Sequence, residues 1–114
     1  MNLQPLDVYQ GTNQTLTLFA RNASNGVQSL TGMTLAWRVG YPPIDPNNPD
    51  SVLTKTGTIS SASAGSYTVA IVPADTTYLE GDYLHETFAT LTSTGVITVV
   101  NRGRFRVRPI LVPV

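Results

Sequence analysis

Apolar side chains recur at every second position of residues 33–41. The apolar set is Met33, Leu35, Trp37, Val39 and Tyr41, and it alternates with Thr34, Ala36, Arg38 and Gly40. A period of two is the side-chain period of a β-strand with one buried face. This segment therefore predicts a half-buried strand with Trp37 directed toward the core.

The same alternation returns along the chain between clusters of turn residues. It predicts further strands around Leu6 and Val8 and over residues 15–21, 51–60, 64–72, 82–92 and 96–108. We interpret residues 51–60 as one edge strand weakened by Gly57. Residues 42–50 contain four prolines and predict a loop, and residues 73–81 predict a single helical turn capped by Asp75 and ended by Gly81.

About seven short strands without a packed helix predict an all-β fold. We expect an antiparallel immunoglobulin-like β-sandwich, with a small β-barrel as the alternative. The 114 residues suit one domain, 1–114, with short apolar tails at Met1–Leu6 and Ile110–Val114.

Four of the seven positive charges lie on alternate residues near the end of the chain: Arg102, Arg104, Arg106 and Arg108. In a strand, all four leave one face. A hairpin closed by the three residues Ser93–Gly95 places Glu86 opposite Arg102 and Asp82 opposite Arg106, and leaves Arg104 and Arg108 without partners. The same register puts Phe88 and Val100 on the charged face, so we expect a bulge or partial burial at that end.

Three uses of this arginine face stay open: a solvated surface with local ion pairs, a docking surface for another protein, or a contact with nucleic acid. The chain has seven acidic and seven basic residues and no net charge. A general nucleic-acid binder would be basic, so composition argues against that class.

The sequence offers little chemistry for catalysis or metal binding. His85 is the only histidine, and we interpret it as a surface or interface residue of a strand. There is no cysteine, and no phosphate-binding glycine motif occurs. The oxygen-rich loop Asp45–Asp50 could suit calcium, but its spacing does not match an EF-hand, and a stiff exposed loop explains it equally well. We expect no enzyme activity and no cofactor.

The first eleven residues lack a basic region followed by an apolar run, so we expect no signal peptide. No apolar run approaches the roughly 20 residues of a membrane helix. We therefore expect no membrane partner.

Residues 63–109 resemble the small immunoglobulin-like domains of tailed-bacteriophage virion proteins, similar to the N-terminal domain of the baseplate upper protein family. The matching positions are Ala74, Asp75, Thr76, Leu79, Gly81, Tyr83, Gly103, Phe105 and Val107. The early stretch YQGTNQTLTLFA, residues 9–20, is also similar. Tyr83 after a glycine turn resembles a tyrosine corner.

The resemblance implies a non-enzymatic virion protein that docks on other virion proteins as a capsid decoration, neck, tail or baseplate module, located in the virion. Since the sequence stops at PILVPV without a fibre region, we expect a standalone decoration or connector subunit present in repeated copies or as a homo-oligomer. The alternative is a host-surface or glycan-binding module. The candidate docking residues are Arg102, Arg104, Arg106, Arg108, Ile44, Asp45, Asn47, Asn48, Ile110, Leu111 and Val112.

Overall fold

A computed structural model describes residues 4–22, 24, 26–41 and 52–109. These residues form eight strands and one short helical turn, in chain order β1 (Leu6–Tyr9), β2 (Gln14–Phe19), β3 (Met33–Gly40), β4 (Leu53–Thr56), β5 (Thr58–Ser61), β6 (Ser66–Ile71), α1 (Pro73–Thr76), β7 (Gly81–Leu91) and β8 (Ile97–Arg108). The segments in which apolar and polar residues alternate therefore form strands, as predicted.

The strands form two sheets that face each other across one core. The five-stranded sheet has the order β1-β8-β7-β3-β4, and the three-stranded sheet has the order β2-β6-β5. The orders β8-β7-β3-β4 and β2-β6-β5 correspond to the G-F-C-C′ and B-E-D strands of immunoglobulin domains. The all-β, immunoglobulin-like sandwich is therefore confirmed, and the barrel alternative is wrong because the strands separate into two sheets.

One strand pair departs from the antiparallel expectation. β1 runs parallel to β8, with Leu6 opposite Phe105 and Val8 opposite Val107. Gly11, with a φ of 69°, turns the chain toward β2 in the other sheet. β1 therefore forms no hairpin with β2 and pairs instead with the last strand, so the five-stranded sheet is mixed.

The expected single strand over residues 51–60 is also wrong in one respect. The chain changes sheets at Gly57, so β4 lies at the edge of the five-stranded sheet and β5 at the edge of the other. A Cβ at Gly57 would lie 2.9 Å from the Cβ of Leu35 and 3.2 Å from the ring of Tyr67. Glycine fits because the crossing chain passes close to both inner faces, and the division raises the strand number to eight.

Trp37 lies at the centre of the core, as predicted, with none of its surface exposed. Its ring meets the edge of Phe105 at a centroid distance of 5.2 Å and an interplanar angle of 81°, a favourable T-shaped contact. Both sheets contribute to the surrounding apolar cluster, whose members include Val8, Leu16, Leu18, Leu35, Val39, Tyr67, Val69, Ile71, Val100 and Val107.

Several residues that carry the resemblance to phage domains stabilise the turn before β7. The hydroxyl of Tyr83 donates to the carbonyl oxygen of Glu80 and accepts from its N–H, both at 3.1 Å. This is the geometry of a tyrosine corner. The carboxylate of Asp75 accepts from the N–H of Val72 at 2.9 Å, which closes the first turn of α1. Gly81 follows with a φ of 100°.

The β7–β8 hairpin keeps the predicted register at its charged end but closes differently. Glu86 lies opposite Arg102 and Asp82 opposite Arg106, whereas Phe88 lies opposite Val99. The N–H of Leu91 donates to the carbonyl of Val96 at 2.9 Å, so the turn has four residues, Thr92–Gly95, rather than three. Val100 is the extra residue that restores the register.

This irregularity is the expected bulge near Phe88 and Val100. Val100 and its neighbour Asn101 are both buried, with exposed fractions of 0% and 2%. A bulge places two successive residues opposite one residue and lets both point to the same side. Val100 therefore leaves the charged face for the core.

Candidate docking surface

The arginine face consists of the side chains of Arg102, Arg104, Arg106 and Arg108 on the outer side of β8. Their inward neighbours include Phe105 and Val107, which are buried. Because β8 pairs with β7 on one side and with β1 along residues 105–108 on the other, the backbone beneath these arginines is fixed. The guanidinium groups thus leave a rigid strand at intervals of about 7 Å.

Carboxylates of the two flanking strands pair with three of the four arginines. Arg106 donates from Nε to Oδ1 of Asp82 at 2.8 Å, and Arg102 lies 3.6 Å from Glu86. Arg108, expected to have no partner, lies 3.5 Å from Asp7. That expectation was wrong because Asp7 belongs to β1, whose position beside β8 cannot be read from local sequence.

Arg104 is the exception on this face. Across the hairpin it lies opposite Leu84, and no carboxylate among the described residues comes within ion-pair distance of it. Its side chain is exposed between Arg102 and Arg106. The arginine face therefore holds one guanidinium group without an ion pair among the described residues, although Asp82 is close enough for Arg104 to contribute to lowering its pKa.

The pKa values of the acids reflect their different depths. Hydrogen bonding to Arg106 lowers the pKa of Asp82. Burial raises the pKa of Glu86, and the nearby Arg102 only partly opposes this. Glu86 is thus more deeply buried than Asp82. Phe88, on the same strand face as Glu86, is only 3% exposed, and the guanidinium group of Arg38 lies 5.7 Å from the centroid of its ring. Burial at this end agrees with the sequence-based expectation.

The remaining predicted docking residues lie outside the described residues. They are Ile44, Asp45, Asn47 and Asn48 of the proline-rich loop and Ile110, Leu111 and Val112 of the C-terminal tail. Docking through them, and calcium binding by the loop, stay predictions. Of the candidate docking residues, the four arginines lie together, on the outer side of β8.

His85 is not the surface residue that we expected. It is fully buried, and its Nδ1 lies 3.2 Å from Nε1 of Trp37. Since an indole nitrogen only donates, Nδ1 accepts and the ring proton lies on Nε2, which donates to the carbonyl of Gln4 at 2.7 Å. Burial lowers the pKa of His85 to about 4, so the ring is neutral near pH 7. Both ring nitrogens are occupied within the protein.

Gln4 joins this buried histidine to both sheets. Its side-chain amide donates to the carbonyl of Thr17 at 2.9 Å and accepts from Asn101 at 2.8 Å, while its backbone N–H donates to the carbonyl of Arg102 at 2.8 Å. Gly103, opposite His85, makes room because a Cβ there would overlap the backbone of Gln4. The glycine in the sequence RGR was the one signal of this close approach.

Within the described ranges, no group of three or more His, Cys, Asp or Glu residues could hold a metal ion. The same ranges contain no helix long and apolar enough to cross a membrane.

No family model matches the chain, and no curated protein is significantly similar to it.

Proposed function

We propose that this chain is a non-enzymatic structural protein of a tailed-bacteriophage virion that docks onto other virion proteins in repeated copies. The immunoglobulin-like sandwich and the structural roles of Asp75, Gly81, Tyr83 and Phe105 support this reading, because they are positions of the resemblance to phage domains. The observation that carries the docking itself is Arg104, an exposed cation on a rigid strand without a described acidic partner.

The physical chemistry of the arginine face favours a protein partner with carboxylates. A guanidinium group is a planar fork that binds a carboxylate with two parallel hydrogen bonds. The neighbouring pairs with Asp82 and Glu86 orient the flanking arginines and leave Arg104 to an incoming acid. The same acids would repel a phosphate backbone, so the face suits an acidic protein surface better than nucleic acid.

His85 supports a non-enzymatic role. Its two ring nitrogens bind Trp37 and the carbonyl of Gln4, and burial keeps it neutral. A general base must reach the substrate proton within hydrogen-bonding distance. His85 is closed off from any such approach in this fold.

The test is incorporation into particles. Virions purified on a density gradient from the phage that encodes this chain should contain it in a fixed ratio to the major capsid protein, measured by quantitative mass spectrometry. When variants replace the native chain, Arg104→Glu should be lost from the particles and Arg104→Gln should be reduced. Thr15→Glu, which adds a charge on the outer side of β2, is the matched control and should be incorporated normally.

Absence of the chain from purified particles would contradict the virion role. Incorporation of Arg104→Glu at the level of the native chain would contradict docking through the arginine face and leave the virion role intact.

A second candidate function, glycan binding at the host surface, has one observation in its favour. Tyr41 is 64% exposed, and its ring centroid lies 5.4 Å from that of Tyr83. The exposed ring of Tyr41, packed against the buried ring of Tyr83, offers a flat surface on which a sugar can stack. A glycan array probed with the purified protein should then show binding that Tyr41→Ala abolishes, and an array without signal would remove this candidate.

A further inference from the structure

Among the described residues, the hairpin end of β8, Ile97–Val99, pairs with a strand on one side only. β7 lies on that side, with Thr90 opposite Ile97. On the other side β1 covers residues 105–108, and the N–H groups of Gln4 and Arg21 bind the carbonyls of Arg102 and Val100. No described residue pairs with Ile97–Val99 there. We call this segment the open edge.

The backbone of the open edge directs its hydrogen-bonding groups outward. Leu91 donates to the carbonyl of Val96, so these two opposed residues form a hydrogen-bonded pair. Such pairs alternate with non-hydrogen-bonded pairs along an antiparallel ladder. Ile97 and Val99 therefore turn their N–H and C=O groups away from β7, toward the side on which no described residue pairs with them.

The open edge lacks the features that usually protect an exposed strand. Natural edges carry charges or proline or are covered, as at β4, the other edge of this sheet, which includes Lys55. Between Glu86 and Arg102 the sequence has no charged residue and no proline. Val96 and Ile97 are nevertheless 58% and 48% exposed. An uncharged β-branched edge of this kind favours pairing with another strand.

We propose that the open edge pairs antiparallel with the open edge of a second copy of this chain, about a two-fold axis at Thr98. Ile97 then lies opposite Val99 of the second copy, and Val99 opposite Ile97 of the second copy. Both are hydrogen-bonded pairs, because their backbone groups point outward. The two five-stranded sheets become one continuous sheet.

The sequence of the open edge is suited to pairing with a second copy of itself. Ile-Thr-Val has an apolar β-branched residue on each side of a central threonine, so it matches itself when reversed, as a two-fold contact requires. The uncharged segment brings no like charges together, whereas self-pairing of β4 would bring two copies of Lys55 close. The central Thr98–Thr98 pair is a favourable cross-strand combination.

The contact is small, with three residues from each copy, and lies well below the size of a standard stable interface. We therefore expect a weak dimer in dilute solution that becomes persistent where copies are held close together, since the effective concentration is then high. This inference is independent of the proposed function.

The first test is a disulfide across the two-fold axis. Opposed residues of a non-hydrogen-bonded pair have Cα atoms about 4.5 Å apart, which is within the range that a disulfide can bridge. The chain contains no cysteine, so Thr98→Cys introduces a single thiol. It should form a covalent dimer rapidly under mild oxidation. Ser93→Cys, in the adjacent turn, measures the rate of random collisions and should cross-link more slowly.

The second test is sedimentation equilibrium of the native chain over a wide concentration range. The apparent mass should rise toward that of a dimer. Ile97→Lys should stay monomeric because it places two lysines at the contact, while Val72→Lys, a control at a similarly exposed valine elsewhere, should behave like the native chain. Circular dichroism should show both variants folded.

Three results would overturn the proposal: a native chain that stays monomeric at its solubility limit, a dimer that survives Ile97→Lys, or Thr98→Cys cross-linking no faster than Ser93→Cys.

Discussion

The two halves of β8 belong to one strand but have different surroundings. Along residues 105–108 the strand has neighbours on both sides, a buried inner face and an outer row of arginines. Along residues 97–99 its one neighbouring strand in the described part of the chain is β7, and this segment has no charge and a half-exposed isoleucine. The first half is a fixed support for charged side chains, and the second half presents backbone groups. One strand therefore offers two kinds of contact.

Val100 separates these halves. The bulge absorbs the extra residue of the Thr92–Gly95 turn, so the arginines keep their outward direction although the hairpin is closed by four residues. Side-chain direction in a strand reverses with a one-residue shift. Without the bulge, the arginines would point toward the core.

The largest expected difference between the halves concerns stability. Phe105→Ala removes a fully buried ring that contacts Trp37 and should lower the free energy of unfolding by about 3–5 kcal/mol. Ile97→Ala, at the open edge, should cost under about 1 kcal/mol. Urea unfolding of both variants at low concentration checks this. Similar losses would show that the two halves are equally embedded and would remove the contrast.

The second prediction concerns acid. Folding keeps His85 neutral by lowering its pKa from 6.5 to about 4, so between these pH values the unfolded chain binds a proton that the folded chain does not. Stability should therefore fall as the pH is lowered through this range, by roughly 3 kcal/mol in total. The raised pKa of Glu86 acts in the opposite sense and offsets part of the loss.

The measurement is chemical unfolding at a series of pH values, with NMR titration of the His85 ring as an independent reading of its pKa. A histidine that titrates near 6.5 in the folded protein would contradict its burial and its bonds to Trp37 and Gln4.

The third prediction tests the covered half directly. Gly103→Ala places a methyl group against the backbone of Gln4 and should cost about 1–3 kcal/mol, because the N-terminal segment must shift. The shift should also change the NMR signal of the His85 Nε2 proton. Thr98→Ala in the open half serves as the control and should leave that signal unchanged. An unaltered signal in Gly103→Ala would mean that Gln4 does not lie over Gly103.

The smallest effect is expected on the charged surface. Asp82→Asn removes the partner of Arg106, yet the pair is exposed, so the melting temperature should decrease only slightly and the difference should shrink in high salt. Because the pKa of Asp82 is lowered in the folded protein, the stability that its ion pair contributes is present above its ordinary pKa and is lost as the pH falls below that value. A loss as large as that of Gly103→Ala would mean that the arginine face contributes substantially to folding.

Local patterns in the sequence predicted the parts of the fold that depend on neighbouring residues. The alternation around Trp37 identified a core strand. The register derived from a three-residue turn is correct at the charged end, where Glu86 lies opposite Arg102, but wrong nearer the turn, where Phe88 lies opposite Val99. Gly81 and Tyr83 indicated the corner that the hydroxyl of Tyr83 closes with Glu80.

Contacts between distant segments could not be read in this way. The partner of Arg108 is Asp7, and the acceptor for His85 is the backbone of Gln4, 81 residues earlier. We expected His85 at the surface although it shares its strand face with Tyr83, because nothing local showed that its polar atoms would find buried partners. The turn length was missed because a bulge later in the strand conceals the extra residue.

Amide hydrogen exchange along β8, measured residue by residue in dilute and in concentrated protein, tests the contrast between its halves most directly. The N–H groups of Arg106 and Arg108 lie in the part of β8 that pairs with β1 and should exchange slowly in both samples. Those of Ile97 and Val99 should exchange fast in the dilute sample and slowly in the concentrated one. Slow exchange of Ile97 and Val99 in dilute protein, or fast exchange in both samples, would contradict an open edge that a second copy occupies.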